Sequence, residues 1–166
     1  MNIVEPLSFT GRNRLNWKEA MVKHFHDLRF THALTISWNR DTPLALAMDD
    51  LKALHGLVDR KLFGPRFHKR IATERTLAVF VFEGFGLGGH IHAHSLWRIR
   101  RREDLLPFAR LFPKQRNGIW NRVVETGSYK LAINDDSSTF LSYALKGQHM
   151  NSEADEMIWS LDFLRP

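Results

Sequence analysis

HIHAHSLWRI, residues His90–Ile99, is the stretch that decides the fold. His90, His92 and His94 alternate with Ile91, Ala93 and Ser95, a period of two that belongs to a β-strand. On such a strand the three imidazoles project to one face, and Ile91, Ala93, Trp97 and Ile99 project to the other. A Gly-rich turn, Gly84–Gly89, precedes it, and before that comes the β-branched and aromatic run TLAVFVFE, Thr76–Glu83. The two runs therefore read as an antiparallel hairpin. Two imidazoles roughly 7 Å apart along a strand can converge on one divalent ion, so the hairpin also offers a metal site.

Working outward, THALTISW (Thr31–Trp38) alternates Leu34, Ile36 and Trp38 with Ala33, Thr35 and Ser37, which is a second strand with one buried face. Trp17, Met21, Phe25 and Leu28 recur at helical spacing over Arg14–Leu28. Thr42-Pro43 supplies an N-cap and a first-turn proline for a helix whose stripe is Leu51, Leu54, Val58 and Leu62, and Gly64-Pro65 closes it. A short helix is expected over Glu103–Phe112 despite Pro107, and strand-like Ile119–Ile133 is broken at Thr126-Gly127-Ser128. Asp135-Asp136-Ser137 caps a last helix that ends at Gly147. This order predicts an α+β fold: an antiparallel sheet of about five strands in a split-βαβ arrangement, with helices on one face and the other face left for function. No linker, low-complexity tract or repeat divides the chain, so residues 1–166 read as one domain with a core at about 31–147, an N-terminal helix and a C-terminal extension.

The 166 residues include no cysteine, which excludes disulfides, thiolate zinc, iron–sulfur clusters and a cysteine nucleophile; any metal must be held by His, Asp or Glu. Nine histidines keep that option open. The net charge is +6, and Arg provides 16 of the 24 cations. A guanidinium fork matches phosphate, so the balance points to a polyanionic partner. No apolar run reaches the roughly 18 residues of a membrane span, and MNIVEPLSFTGRNR lacks the pattern of a secretory signal, so a cytoplasmic protein without a membrane partner is expected.

Of the two tyrosines, Tyr143 lies in STFLSYALKG (Ser138–Gly147), three residues before Lys146. On a helix Phe140, Leu141, Ala144 and Leu145 would be buried, leaving phenol and ammonium together at the edge. A tyrosine beside a cation, together with a metal, is equipment for attack on a phosphodiester.

Three families carry alternating histidines on a strand. The cupin pattern fits Gly84 and His90/His92, but Leu96 and Trp97 stand where its glutamate belongs. HIHAHSL resembles the histidine-triad nucleotide hydrolases, whose triad lies near the chain end, whereas more than seventy residues follow His94. Taken in order, Ala33–Ser37 (ALTIS), Ile91–Leu96 and the YxxK of Tyr143–Lys146 resemble the three motifs of HUH endonucleases, the rolling-circle replication initiators and related transposases. LVDRKLFGPRFHKR (Leu57–Arg70) also resembles plasmid or phage replication proteins.

The HUH resemblance implies a five-stranded antiparallel sheet and metal-dependent, sequence-specific nicking and joining of single-stranded DNA. It implies Mn²⁺ or Mg²⁺ on a histidine pair, either His90/His92 or His92/His94, with the second preferred because Leu96-Trp97 then falls where the family carries apolar residues. Glu83 matches the place of the family's third ligand, and His90 is the other candidate. Tyr143 would form a 5′-phosphotyrosine, with Lys146 supporting the phenolate. One candidate tyrosine implies a single round of nicking and closure. Arg66, Lys69, Arg70, Arg98, Arg100, Arg101 and Arg102 are the expected contacts to a single strand or origin hairpin. Trp38, Trp97 and Trp120 are either base-stacking partners or core, with core favoured. No ATPase P-loop is present, so unwinding would fall to a separate helicase. A histidine-triad-like nucleotide hydrolase and a catalytically inactive DNA-binding module are the alternatives.

Overall fold

Pairing along the histidine strand organises the molecule. The structure is a computed structural model and describes residues 23–24, 26–84, 90–114, 117–134 and 157–164. Its strands are β1 (His32–Ser37), β2 (Leu77–Glu83), β3 (His92–Arg98), β4 (Ser128–Ile133) and β5 (Met157–Trp159). Helix α1 (Leu44–Phe63) joins β1 to β2, and α2 (Arg102–Arg110) follows β3. The strands form one antiparallel sheet in the order β4-β1-β3-β2-β5. Because β3 lies between β1 and β2, the first βαβ unit is split, as the element order predicts.

One face of the sheet carries Leu34, Ile36, Ala78, Phe80, Phe82, Ala93 and Trp97, all in the main core with Leu51, Leu54 and Val58 of α1 and Phe108 of α2. The α1 stripe at Ala47, Leu51, Leu54 and Val58 follows helical spacing and lies flat on those strands. Ser95 is the polar member of β3 on this side; its hydroxyl donates to Leu34 O at 2.8 Å and accepts Trp97 Nε1–H at 3.0 Å, so burial leaves it satisfied. Trp38 Nε1–H donates to Asp50 Oδ2 at 2.8 Å, which ties the end of β1 to α1.

Several local expectations are corrected. Thr42 is not the N-cap of α1: Pro43 occupies that position, and the Thr42 hydroxyl donates back to Arg40 O at 3.2 Å. Gly64 closes α1 as expected, with φ +82, a value glycine adopts without steric cost. Pro107 is accommodated inside α2, which spans Arg102–Arg110 rather than Glu103–Phe112. The first half of the expected strand Ile119–Ile133 is not a strand. Trp120–Arg122 is a 3₁₀ turn, with Val123 and Val124 N–H both donating to Trp120 O at 2.9 Å, and pairing begins only at Ser128. Ile119, Trp120 and Val124 are buried by this turn, which satisfies the same apolar residues that suggested a strand.

The second sheet face is not wholly free. Phe30 packs on Ala33, Leu77, Val79 and Leu96, with Leu28, Met157 and Trp159 beside them, so the half of the face nearer the start of β2 is covered. Of the expected helix over Arg14–Leu28, only residues 23–24 and 26–28 are described, and these are helical. The expected helix ending at Gly147, with Tyr143 and Lys146, lies outside the described residues.

Candidate metal centre

Alternation along β3 places His92, His94, Leu96 and Arg98 on the second face, and register supplies the partners. Glu83, the last residue of β2, pairs with His92; His94 lies between Val81 of β2 and Thr35 of β1. Gly84 follows with φ +94, and a Cβ there would stand 3.0 Å from His90 O, so glycine permits the close return of the chain beside the site.

The three side chains meet. Glu83 Oε2 is 3.0 Å from His92 Nε2 and 2.9 Å from His94 Nε2, and one ligand atom from each residue lies within 4.8 Å of the others. The imidazoles stand edge to face, with centroids 5.4 Å apart at 87°. The centre is graded in access: the His94 side chain is 7% exposed, His92 34% and Glu83 41%.

Outer contacts fix the rings. His94 Nδ1 is 3.1 Å from Thr35 Oγ1, and His92 Nδ1 faces His90 O at 3.4 Å. A carbonyl only accepts, so a His92 ring with its proton on Nδ1 would turn the Nε2 lone pair toward Glu83. A lone pair facing a carboxylate oxygen at 3.0 Å requires positive charge between them, a proton or a cation. A divalent ion meets that requirement. With bonds of about 2.1 Å, ligand atoms at right angles around an ion are about 3.0 Å apart, which is the spacing Glu83 keeps from both nitrogens. Partial burial pushes the Glu83 carboxyl up, but its hydrogen bonds and electrostatic attraction to His94 and His92 outweigh it and hold the group below its ordinary value. Glu83, His92 and His94 could thus hold a metal ion, with two neutral nitrogens and one carboxylate.

His90 does not join them. It precedes β3, its side chain is 60% exposed, and its Nδ1 lies 4.0 Å from Asp41. The register left open by the alternation is therefore His92/His94, and Glu83 rather than His90 is the third member. Thr35 went unrecognised as an outer partner, although its alternation in ALTIS with Leu34 and Ile36 already placed it on the histidine side of the sheet.

The expected DNA-contacting cations lie elsewhere. Arg98 is six residues along β3 from His92, about 20 Å at the rise of a strand, and pairs with Leu77 at the start of β2. Arg100 and Arg102 are exposed beyond it. Arg101 is already engaged, with Glu103 at 2.9 Å and Asp104 at 3.2 Å. Arg66 and Lys69 are exposed before β2, and Arg70 lies over the Phe63 ring at 5.1 Å. These cations flank the end of the hairpin opposite Glu83 and His92. Trp38, Trp97 and Trp120 are fully buried and belong to the core, which removes them as stacking platforms.

Tyr129 is the described tyrosine. It pairs with Ile36, packs on Phe112 at 5.6 Å on the helix side of the sheet, and donates its hydroxyl to Pro113 O at 2.7 Å. The sheet separates it from Glu83, His92 and His94. No helix among the described residues is long and apolar enough to cross a membrane.

Compared with family models, with curated proteins and with solved structures, the chain matches none of them.

Proposed function

We propose that this chain is a metal-dependent enzyme of the HUH endonuclease kind, nicking and rejoining single-stranded DNA through a 5′-phosphotyrosine, as in rolling-circle replication of a plasmid or phage. The observation that carries the proposal is the meeting of Glu83, His92 and His94 on one face of a split-βαβ sheet, on the strands where the first two sequence motifs fall. Mn²⁺ or Mg²⁺ held by these residues would polarise the scissile phosphate. The position of Tyr129 supports the assignment of the nucleophile to Tyr143, since Tyr129 faces the opposite side of the sheet.

In this reading the Tyr143 oxygen forms a P–O bond as the bond to the 3′-oxygen breaks; the leaving oxygen keeps the electron pair and takes a proton. The Lys146 ammonium favours the phenolate. Rejoining is the reverse, with the 3′-hydroxyl displacing the tyrosine. A single strand reaching from the histidine end toward Arg98 and Arg100 would take phosphate contacts remote from the scissile bond.

Incubation with random single-stranded DNA and Mn²⁺, followed by a denaturing gel, tests the reading. A protein–DNA adduct is expected, lost together with nicking in Tyr143→Phe and kept in Tyr129→Phe. An adduct that survives Tyr143→Phe overturns the proposal. A histidine-triad hydrolase would keep activity in Tyr143→Phe; it draws less support because His90 stands outside β3. A binding module without catalysis would give no adduct in any variant.

A further inference from the structure

Lys61 lies in the last turn of α1, Arg110 in that of α2, and Arg122 in the turn Trp120–Arg122. Their side chains line one pocket of about 190 Å³, floored by Leu111, Pro113 and Ile119. No carboxylate lines it, and none of the three cations forms an ion pair among the described residues. Arg75, by contrast, is held by Asp59, and Arg101 by Glu103. The negative end of a helix favours one nearby cation, which accounts for each residue singly but not for three at one concavity. Asn117 completes the wall. Its backbone has φ +89, in the left-handed region, and its carboxamide makes no hydrogen bond among the described residues. Backbone held in that region concentrates at ligand sites.

We infer that this pocket is a second site, taking a phosphate group. Its polar side chains are an ammonium, two guanidinium forks and a carboxamide, a set that donates to phosphate oxygens and carries three positive charges. The volume is below the roughly 300–1,000 Å³ of sites that enclose a whole organic ligand, so it suits a phosphate with its first sugar atoms. Because α1 and α2 cover the sheet face opposite Glu83, His92 and His94, the site is independent of the metal centre. The phosphate could come from a free phosphate or mononucleotide, or from a nucleic-acid backbone.

The test is a titration of the whole protein with sodium phosphate at constant ionic strength, following the backbone amide resonances of Asn117, Ile119 and Arg122. Saturable shifts are expected, with half-saturation raised at least tenfold in Arg110→Gln/Arg122→Gln. Lys61→Gln, a milder change at an exposed side chain, should raise it several-fold if the double variant loses its native spectrum. Shifts that grow linearly with phosphate, or that are the same in wild type and the variants, would show solvated helix ends and overturn the inference. Glu83→Gln should leave the titration unchanged; a change there would place phosphate at the metal centre instead and also overturn it. An abasic oligonucleotide that binds at least tenfold tighter than phosphate identifies a backbone source, and equal or weaker binding identifies the free anion; either result requires the saturable site.

Discussion

Two clusters among the described residues combine histidine, a carboxylate and a threonine hydroxyl, and they behave as opposites. In the first, His55 Nε2 lies 3.1 Å from Thr76 Oγ1, and Asp59 takes Arg75 Nε–H at 2.7 Å, the Thr76 hydroxyl at 2.6 Å and the Thr76 N–H at 3.2 Å. All four residues are buried, and the His55 ring stacks on Trp97 at 5.7 Å. The order threonine, histidine, aspartate suggests a nucleophile relay, but His55 Nδ1 stands 4.0 Å from Asp59, too far for a hydrogen bond, and the hydroxyl is already spent on the carboxylate. In the second, Glu83 offers one oxygen to two imidazoles at the edge of solvent. Residue type does not separate a structural cluster from a functional one. Accessibility does, together with whether an acceptor is used up or shared.

The sharpest way to break this contrast is at Asp59. Asp59→Ala leaves the Arg75 charge and the Thr76 donors buried without their acceptor, so unfolding in urea should show a loss of about 3–5 kcal/mol. The variant fraction that remains folded should respond to Mn²⁺ as the wild type does. A cost under about 1 kcal/mol would mean the buried cluster is not the lock its geometry describes.

Glu83→Gln should do the reverse. Stability without metal should change by less than about 1 kcal/mol, because the side chain is partly exposed and similar in shape. At Mn²⁺ a hundredfold above the dissociation constant, the wild type should gain about 2.7 kcal/mol, and the variant should lose most of that gain. Thermal melts with and without Mn²⁺ measure both terms, and an equal metal response in both proteins would remove Glu83 from the site.

The same contrast explains what could be read from the sequence. The hairpin, β1 and α1 were legible because alternation and the Pro43/Gly64 punctuation are local signals. Alternation singled out His90, His92 and His94 together, and the choice of His92/His94 and of Glu83 came from family resemblance and not from spacing. His90 continued the alternation but left the strand, because pairing with β2 stops at Glu83 and Gly84 turns away. Ile119–Glu125 misled because β-rich composition also suits a tight helical turn around a buried Trp120. The cover by Leu28 and Phe30, and the union of His55 and Asp59 with Arg75 and Thr76, depend on distant pairings. One signal was available: His55 and Asp59, four residues apart, interrupt the apolar stripe of Leu51, Leu54 and Val58. The YxxK helix, on which the nucleophile assignment depends, lies outside the described residues.

Acidity should sharpen the contrast in a third way. Burial holds His55 below the ordinary histidine value, partly opposed by the Asp59 charge, so the folded protein keeps the ring neutral where the unfolded chain protonates it. The unfolded state then binds more protons below about pH 6.5, and stability rises with pH. His55 therefore contributes its full stability above about pH 6.5 and loses it as pH falls toward the folded value, by at most about 1.4 kcal/mol per unit. Burial lowers His32 as well, and its contribution has the same sign. Urea unfolding at several pH values should show a shallower slope for His55→Gln than for wild type. Identical slopes would show that the buried ring is not the proton acceptor.

The smallest effect is expected at Thr35, where the two clusters look most alike, since each places a threonine hydroxyl 3.1 Å from an imidazole nitrogen. Thr76 belongs to a sealed network, so its hydroxyl contributes to stability. Thr35 stands behind His94 on the side away from Glu83, where it orients the ring whose Nε2 faces the carboxylate. Thr35→Val keeps the β-branched shape that suits β1 and removes only the hydroxyl, so stability without metal should fall by less than about 1 kcal/mol. Affinity for Mn²⁺ should fall about tenfold, the low end of the range for an outer hydrogen bond behind a metal ligand, and Thr35→Ser should restore it. The nitrogen resonances of His94 provide a check that packing alone would not move: they should report a changed tautomer balance in Thr35→Val and the original one in Thr35→Ser. If affinity and tautomer are both unaltered in Thr35→Val, the hydroxyl is an ordinary strand side chain, and the ring of His94 is held by β2 and β3 alone.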